Sequence, residues 1–426
     1  MAQFLNAKEN LVTEALDGVL AASGGALTRL DGYPYIKVLY PSDWDKSKVA
    51  LISGGGSGHE PAHAGFVGRG MLTAAVCGEV FASPSVEAVL AGILAVTGDA
   101  GCLLIVKNYT GDRLNFGLAA ERARALGRRV EMVVVDDDIA LPDLPQPRGV
   151  AGTLFVHKIA GAMSEDGADL ESVAEVAKSV IHKVASIGMS LDTCTIPGSP
   201  KEDRIGAGKA ELGLGIHGEP GVEQVDFSTA MHAMDTVADK LKPHMPSGPL
   251  VALINNLGST TPLEMSVLTH ALTAAGLATH VIGPAPMMTS LDMHGFSVSV
   301  MEPTAEDLAA LQAPVDLAAW PPTNAVVEVP VAPLPDGLTP IEPIPSKDDR
   351  TRRIIERVSD LLIDAEAELN SLDAKSGDGD TGSTLATAAR ALKGSLDRMP
   401  LADPTQLFPA LGNELSQTMG GSSGVI

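Results

Sequence analysis

Short apolar runs of strand length alternate with helical patterns along the first part of the chain. Residues 49–52 form the first clear strand, and Cys102–Lys107 and Val130–Val135 are two further buried runs of the same kind. Apolar positions three and four residues apart predict the helices around these strands, over 6–21, 85–96, 113–126 and 151–187. Because strands and helices alternate, the pattern predicts an α/β fold with a largely parallel sheet.

A second α/β pattern follows a glycine-rich stretch at 205–222. Its helices and strands are predicted at 227–241, 250–255, 262–275 and 279–282. Nine prolines then fall within 32 residues, from Pro314 to Pro345, and a segment of this composition is extended and semi-rigid. We interpret it as a linker between domains.

The segment after this linker has a helical pattern only. The residues from Ser346 to Asp349 resemble a capping box, and the apolar positions from Ile354 to Leu369 keep to one helical face. A second helix is predicted from about Ser383 to Leu396. The predicted organisation is a first α/β subdomain, a second α/β subdomain, the proline-rich linker and the start of an all-α domain, over residues 1–190, 191–313, 314–345 and 346–426.

Composition narrows the classes of protein to which this chain can belong. Hydrophobic residues make up 45% of it but aromatic residues only 3%, so its cores are built from aliphatic side chains. The net charge of −23 disfavours nucleic acid and anionic membranes as partners, and no apolar stretch of transmembrane length occurs. The three cysteines are far apart and odd in number, which favours reduced thiols and a cytoplasmic location.

A glycine-rich stretch, Ser53-Gly-Gly-Gly-Ser-Gly-His59-Glu60, directly follows the first strand. Glycine allows a sharp turn or the close approach of another group, and histidine can exchange a proton near neutral pH. Because ligands bind where the strands of an α/β sheet end, this layout predicts a site. Asp112, which follows the strand at Cys102–Lys107, is a candidate to face His59. The alternative is a tight turn with a surface histidine.

Three aspartates, Asp373, Asp378 and Asp380, form the most specific local pattern. Carboxylates spaced by glycines can converge on a hard cation, although this pattern lacks the Glu at the twelfth position that an EF-hand loop requires. Hydroxyls and backbone amides at a helix start form a ready phosphate site. Such groups are predicted here at Thr381, Gly382, Ser383 and Thr384. The alternative is an acidic, glycine-rich turn.

Two further glycine-rich stretches are ambiguous by themselves. The stretch Met419-Gly-Gly-Ser-Ser-Gly424 is either a second phosphate loop or a tail, and it lacks the preceding strand of a G-x-S-x-G nucleophile elbow. His217 lies between glycines, and its imidazole can attack a carbonyl, but a lone loop histidine is more often structural. The chain has no Walker A motif and no strand followed by G-x-G-x-x-G, which excludes P-loop NTPases and Rossmann dehydrogenases by signature.

Taken together, four stretches strongly resemble the ATP-dependent dihydroxyacetone (glycerone) kinases. They begin at Ile52, Lys107, Gly215 and Asp373 and read ISGGGSGHEP, KNYTGD, GIHGEP and DAKSGDGDTG. The resemblance covers essentially the whole chain. Residues up to about 330 are similar to the substrate-binding half of those enzymes, and residues from about 346 are similar to the start of the nucleotide-binding half. It implies a kinase that converts dihydroxyacetone and ATP to dihydroxyacetone phosphate and ADP.

The resemblance also implies roles for individual residues. The histidine matching His217 forms a covalent hemiaminal with the substrate ketone, the aspartate matching Asp112 accepts the proton of the attacking hydroxyl, and the histidine matching His59 orients the substrate. Further substrate contacts are implied at Gly56, Ser57, Gly58 and Lys107. The implied cofactors are ATP and Mg²⁺. The metal would be held by Asp373, Asp378 and Asp380, and the phosphates by Thr381, Gly382, Ser383, Thr384, Gly421, Ser422 and Ser423.

Several expectations from the resemblance concern partners and alternatives. A homodimer is expected, in which the nucleotide domain of one chain serves the substrate domain of the other. The segment from residue 346 is shorter than the helical bundle of the family, so we expect a truncated nucleotide-binding half or one completed in trans. The alternatives are a substrate-binding subunit, a kinase for a related keto-sugar such as erythrulose or for a small aldose, and a lyase that cyclises the ribityl nucleotide of FAD.

Overall fold

The structure, a computed structural model, describes residues 3–141, 146–245, 248–335 and 342–420. The chain divides into two compact units, Met1–Glu328 and Val329–Ile426. The division lies inside the predicted linker of residues 314–345. In the described residues the first unit is α/β and the second is largely helical, as the sequence pattern predicts.

A mixed sheet forms the first part of unit 1. Its strands are β1 Leu27–Arg29, β2 Val38–Pro41, β3 Ala50–Ser57, β4 Ala74–Val80, β5 Cys102–Lys107 and β6 Val130–Val135. In the part of the chain that the structure describes, their order is β1-β2-β4-β3-β5-β6. Strand β3 is parallel to β4 and β5, and β5 is parallel to β6, whereas β1 and β2 run antiparallel to their neighbours. The carboxyl ends of β3, β4, β5 and β6 therefore lie at the same edge.

Helices surround this sheet, and they are α1 Leu11–Ala22, α2 Val86–Val96, α3 Thr110–Ala125, α4 Thr153–Glu165 and α5 Leu170–Ile181. Helices α2 and α3 pack on one face around Ile52, Ile93 and Phe116. Helices α4 and α5 pack on the other face around Leu103 and Phe155. Because both faces are buried, the central strands read as continuous apolar runs rather than alternating ones.

The second sheet of unit 1 is mostly antiparallel. Its strands are β7 Val184–Ser190, β8 Lys209–Leu212, β9 Glu223–Asp226, β10 Val251–Asn256, β11 His280–Ala285, β12 Gly295–Met301 and β13 Thr323–Ala325. Their order within the described residues is β13-β11-β10-β12-β7-β8-β9, and β10 and β11 are parallel. The remaining helices of this unit are α6 Ala230–Leu241, α7 Pro262–Ala274 and α8 Ala305–Gln312. Helices α6 and α7 pack on the sheet around Met234, Ile254 and Leu272.

The structure differs from the predicted elements around residue 184. The predicted helix over 151–187 is divided into α4 and α5, the second of which ends at Ile181, and β7 begins at Val184. Strand β7 pairs with β12 and β8, so the second sheet begins before residue 191. Alternate β7 side chains, Ala185 and Ile187, face the core beneath α6 and α7. Side chains of a strand alternate between its two faces, which places both residues on the core side. The predicted helix was wrong here because it assumes a period of 3.6 residues up to residue 187.

Unit 2 consists of short helices in its described residues, namely α9 Asp349–Asp364, α10 Glu366–Asp373, α11 Thr381–Ser395 and α12 Pro404–Thr418. The predicted capping box at Ser346 is wrong. The side chain of Asp348 caps α9 by accepting the N–H of Thr351, whereas Ser346 Oγ accepts the N–H of Ala402. The apolar face predicted on this helix exists, and its members Ile354, Val358 and Leu361 are exposed.

Two composition-based expectations can be compared with the structure. Among the described helices, none combines the length and the apolar character needed to cross a bilayer. Cys77, Cys102 and Cys194 are all buried free thiols, which agrees with the prediction of reduced cysteines.

Candidate active site

The candidate active site of unit 1 surrounds the imidazole of His217. Three rings lie against it, and we call them the ring cage: His59 at 4.8 Å, Phe81 at 5.2 Å and Tyr109 at 4.5 Å between ring centroids. The cage residues directly follow β3, β4 and β5, which are neighbours in the first sheet. His217 lies in the connection between β8 and β9. The structure thus brings His59 and His217 together at the carboxyl ends of parallel strands, where a ligand site is expected.

Glu219 holds the imidazole of His217 in place. Its Oε1 lies 3.1 Å from Nδ1 of His217, and its Oε2 accepts the backbone N–H of His217 at 2.9 Å. Burial alone would raise the pKa of the Glu219 carboxyl, but the hydrogen bond and the charge of His217 lower it to about 2. An ionised carboxylate only accepts hydrogen bonds, so Nδ1 of His217 carries a proton, and in the neutral form of the ring the lone pair is on Nε2. Glu219 was not among the site residues predicted from the sequence, although the GIHGEP stretch places it two residues after the histidine.

His59 is fixed by a backbone carbonyl. Its Nδ1 lies 2.8 Å from the carbonyl oxygen of Thr289, so Nδ1–H donates there. Burial first, and then the charges of Lys107 and His217, lower the pKa of His59 well below its usual value. The neutral ring therefore has an acceptor at Nε2, and no described residue pairs with that atom. His59 presents a hydrogen-bond acceptor to a ligand.

Asp112 and Lys107 approach the same glycine of β3. A Cβ atom added to Gly55 would lie 3.3 Å from Oδ2 of Asp112 and 3.5 Å from Nζ of Lys107. Both side chains are buried, and Asp112 lies in the first turn of α3. Burial lowers the pKa of Lys107, and the carboxylate of Asp112 opposes that shift. Within the described residues Nζ of Lys107 has no hydrogen-bond partner, and no hydrogen bond joins Asp112 to His59. The carboxylate of Asp112 and the amino group of Lys107 thus both lie in the buried space beside Gly55.

The predicted loop at Ser53–Glu60 is a strand over most of its length. Strand β3 continues through the glycines, because they let neighbouring backbone come close. A Cβ atom on Gly54 would lie 2.1 Å from the carbonyl oxygen of Val76, and one on Gly56 would lie 2.6 Å from the nitrogen of Ala82. These glycines are therefore required by packing, whether or not a ligand is bound.

The residues that follow the glycines support the local backbone. Ser57 is buried and donates its hydroxyl to the carbonyl of Gly78 at 2.9 Å. The N–H of Gly58 donates to the carboxylate of Glu60 at 3.0 Å. The predicted contacts of Gly56, Ser57 and Gly58 with a substrate stay a prediction.

Two apolar residues of the site have a left-handed backbone. The φ angle is 57° at Phe81 and 53° at Leu291, which is uncommon for large side chains and tends to occur at functional sites. A Cβ atom on Gly58 would lie 2.8 Å from the ring of Phe81 and 3.3 Å from the side chain of Leu291. Both residues pack in one apolar cluster with Cys194 and Met293. The sequence pattern gave no signal for either residue.

The acidic loop of unit 2 brings the three predicted metal ligands together. One carboxylate oxygen from each of Asp373, Asp378 and Asp380 lies within 4.8 Å of the others. The negative charge of Asp378, and less strongly that of Asp373, raises the pKa of Asp380. A divalent cation would relieve this repulsion, and carboxylate oxygens are the ligands that Mg²⁺ prefers. The residues present therefore fit Mg²⁺.

Asp373 and Asn370 also organise the backbone at the start of α11. Oδ2 of Asp373 accepts the N–H groups of Gly379 at 3.0 Å and of Asp380 at 3.1 Å. Oδ1 of Asn370 accepts the N–H of Ser383 at 3.0 Å, and its Nδ2 donates to Oγ of Ser383 at 2.9 Å. Side chains of the same unit thus already bond some of the donors that the sequence analysis assigns to phosphates.

The other predicted phosphate contacts fall into two groups. Thr381, Gly382 and Thr384 lie in the first turn of α11, as predicted from the sequence. Gly421, Ser422 and Ser423 lie outside the described residues. All of these roles stay predictions.

Comparisons with known proteins match both units to domain families. The Dak1 domain model matches residues 17–319, and the DAK2 domain model matches residues 375–426. The chain is 48% identical to the dihydroxyacetone kinase of Citrobacter freundii, over 99% of this chain and 78% of that protein. It is 40% identical to the human triokinase/FMN cyclase, over 100% of this chain and 77% of that protein.

A solved structure supports the same assignment. The crystal structure of the C. freundii dihydroxyacetone kinase in complex with AMP-PNP and Mg²⁺ matches with a TM-score of 0.78 and 46% identity, over 100% of this chain and 80% of that chain. The chain therefore belongs to the dihydroxyacetone kinase family, a family of phosphotransferases.

The family assignment confirms part of the sequence analysis. An α/β unit followed by a helical unit is confirmed, as is the enzyme class, and the AMP-PNP complex agrees with ATP and Mg²⁺ as cofactors. The expectation of a truncated nucleotide-binding half is not supported, because the DAK2 domain model matches residues 375–426.

Proposed function

We propose that this chain transfers the γ-phosphoryl group of ATP to dihydroxyacetone, with the substrate ketone held as a hemiaminal on Nε2 of His217. The observation that carries this proposal is the pairing of His217 with the ionised Glu219 inside the ring cage. A carboxylate on Nδ1 leaves Nε2 as a neutral nucleophile. The names of the relatives point to the same substrate.

Hemiaminal formation needs only the imidazole of His217, the substrate ketone and a water molecule that relays a proton. The lone pair of Nε2 forms a bond to the carbonyl carbon, and the C=O π electrons move to the oxygen. That oxygen takes up one proton from a water molecule, and the Nδ1 proton of the resulting imidazolium returns to the hydroxide, past the Glu219 carboxylate, so that the N-substituted imidazole ends neutral and no water is consumed. The neutral His59 accepts a hydrogen bond from a substrate hydroxyl at its Nε2.

A covalent bond to the carbonyl carbon gives a chemical basis for selectivity. Glycerol has the same carbon skeleton as dihydroxyacetone but no carbonyl, so it cannot form the hemiaminal. A noncovalent pocket distinguishes compounds of such similar size less strongly.

The phosphoryl-transfer step needs a base for the attacking hydroxyl. Asp112 supplies this base in our proposal, because the other carboxylate of the site, Glu219, is bonded to His217, and general-base catalysis by a positioned group contributes about 10²–10⁴-fold. Lys107 lies beside the same glycine as Asp112, and its ammonium group balances the carboxylate charge. In unit 2, Asp373, Asp378 and Asp380 would hold Mg²⁺, which when bound neutralises charge on the phosphates.

Two measurements test the proposal. The first is ADP release with dihydroxyacetone, glyceraldehyde, erythrulose and glycerol as acceptors. We expect turnover with the carbonyl compounds and none with glycerol. The second is native mass spectrometry with dihydroxyacetone. We expect an adduct of one substrate mass on the wild type and on His182→Ala, which alters an exposed histidine, and none on His217→Ala. An adduct that persists in His217→Ala contradicts the hemiaminal.

A second activity is favoured by the name of one relative. The human relative is a triokinase/FMN cyclase. Incubation of this chain with FAD and Mn²⁺, followed by product analysis, tests whether it also cyclises the ribityl nucleotide. A kinase for a related keto-sugar would be recognised in the acceptor series by a preference for erythrulose. A substrate-binding subunit would release ADP only after addition of a separate nucleotide-binding protein.

A further inference from the structure

The loop that carries His217 and Glu219 is tied to the rest of unit 1 at its first residue. Gly213 donates its N–H to the carbonyl of Gly188 at 2.7 Å. Its own carbonyl accepts a hydrogen bond from Nη2 of Arg148 at 2.7 Å. Arg148 is buried and lies in the connection between β6 and α4. The contact therefore joins the segment after β6 to the loop of the proposed nucleophile.

Arg148 is in turn fixed by Asp138, the last in a run of three aspartates that follows β6. Its Nε donates to Oδ2 of Asp138 at 2.6 Å, and Oδ1 of Asp138 accepts the N–H of Ala140 at 2.9 Å. The preceding Asp137 is buried and accepts two backbone N–H groups, the first from Val150 at 2.8 Å. The run is prominent in the sequence, and the reaction steps above do not use it. Its carboxylates hold the segment that presents Arg148.

Arg148 also lies beside Glu219. A Cβ atom added to Gly215 would lie 2.0 Å from Oε2 of Glu219 and 2.8 Å from Nη1 of Arg148. The absence of a side chain at Gly215 lets both charged groups reach the same point. Charges therefore alternate from Asp138 to Arg148 to Glu219, and Glu219 contacts the ring of His217.

We propose that Arg148 is a positioning residue, which holds the loop at the carbonyl of Gly213, beside Glu219, so that Nε2 of His217 has the orientation needed to attack a ketone. This inference rests on the proposed function. Arg148 acts through the loop and not on the reacting atoms. A misplacement of about 1 Å can cost about 10²-fold in rate. Lysine lacks the planar fork that bonds two acceptors at fixed angles, so it would replace Arg148 only in part.

The test measures the rate of adduct formation with dihydroxyacetone by rapid-quench native mass spectrometry. The variants are Arg148→Gln, Arg148→Lys and the control Lys183→Met. Lys183 pairs with the buried Asp307 at 2.9 Å and makes no hydrogen bond to the His217 loop among the described residues. We expect Arg148→Gln to form the adduct about 10²-fold more slowly, Arg148→Lys to be intermediate, and Lys183→Met to match the wild type.

Steady-state kinetics separate positioning from general loss of structure. We expect the Arg148 variants to lose kcat while the KM for ATP is unchanged, because unit 2 is not altered. A folded Arg148→Gln that forms the adduct at the wild-type rate overturns the inference. If Arg148→Gln does not fold, the same criterion applies to Arg148→Lys. A wild-type chain that forms no adduct with any ketone overturns the proposed function instead.

Discussion

Glu219 contacts His217 at both the ring and the backbone. Its Oε1 lies 3.1 Å from Nδ1, and its Oε2 accepts the backbone N–H at 2.9 Å. Because one carboxylate makes both contacts, the orientation of the ring and the path of the loop are fixed together. This arrangement leaves Nε2 as the ring nitrogen that is free to react.

The first prediction concerns this carboxylate. Glu219→Gln keeps the shape of the side chain but cannot take up the Nδ1 proton, so the hemiaminal should form about 10- to 100-fold more slowly. The rate of adduct formation, followed by quenched native mass spectrometry, measures the effect. Glu223→Gln, at the start of β9, is a control on an exposed residue. Equal rates of adduct formation in Glu219→Gln and the wild type would show that the Glu219 carboxylate has no role in hemiaminal formation.

The second prediction separates covalent capture from phosphoryl transfer. Asp112→Asn removes the proposed base but leaves His217 and Glu219 unchanged. We expect ADP release to fall by about 10²–10⁴-fold, while the adduct with dihydroxyacetone still forms. Turnover near that of the wild type would show that another group accepts the hydroxyl proton.

The third prediction concerns the tautomer of His59. The carbonyl of Thr289 accepts from Nδ1–H, and burial lowers the pKa of the ring, so Nε2 should still lack a proton at pH 6.5, where an ordinary histidine is half protonated. Histidine ¹⁵N chemical shifts measure this directly, with His59→Asn used to assign the signals. We expect His59→Asn to raise the KM for dihydroxyacetone. A ring that gains a proton near pH 6.5 would contradict this interpretation.

The fourth prediction concerns the metal ligands. Asp378→Asn and Asp380→Asn each remove one charged oxygen donor, so the Mg²⁺ concentration that gives half-maximal activity should rise by about tenfold or more. Asp373→Asn should also loosen the loop, because Oδ2 of Asp373 accepts two backbone N–H groups. Titration of ADP release with Mg²⁺ measures the first effect, and hydrogen exchange measures the second. Glu414→Gln, at a partly buried position of α12 outside the acidic loop, is the control.

The fifth prediction is a loss of stability in acid. Burial lowers the pKa of His59 and His63, and that of His157 to about 3. The unfolded chain protonates these histidines near pH 6.5 and the folded chain does not. Unit 1 should therefore lose up to about 1.4 kcal/mol per histidine for each pH unit below about 6.5. Well above pH 6.5 these histidines are neutral in both the folded and the unfolded chain, so they no longer make the stability of unit 1 depend on pH.

Tryptophan fluorescence can follow this loss in unit 1 alone, since both tryptophans, Trp44 and Trp320, lie there. Urea unfolding at several pH values gives the slope of stability against pH. His157→Gln should reduce this slope by about one proton, whereas His182→Gln should not change it, because that residue is exposed. Identical slopes in the wild type and His157→Gln would contradict the assignment of His157 as a neutral buried residue.

The sequence predicts the candidate site better than the elements around it. His59 and Asp112 are predicted from their positions after strands, His217 is singled out by the resemblance of the GIHGEP stretch, and the structure places His59 and His217 against each other. Phe81 carries no such signal, since an apolar residue just after a strand resembles any other core residue. Its place against His217 follows from its left-handed backbone and from the neighbouring strands, neither of which the sequence displays.

Strand β12 of the second sheet shows which strands are missed when only continuous apolar runs are taken as strands. Strand β12, Gly295–Met301, was not predicted, although its alternate residues Phe296, Val298 and Val300 face one core. Serines lie between them, so the run has no continuous apolar character. The period-two alternation is itself a strand pattern, and pairing with β7 and β10 places β12 in the middle of the sheet.

The glycines of β3 place backbone alone beside Asp112 and Lys107, at Gly55. Because Gly54 and Gly56 on either side lie too close to Val76 and Ala82 to accept a side chain, substitution there cannot reshape this segment without moving neighbouring backbone. For the redesign of substrate range, the adjustable surface is instead the side formed by Phe81 and Leu291. Libraries for larger ketoses should therefore vary those two positions and keep the glycines fixed.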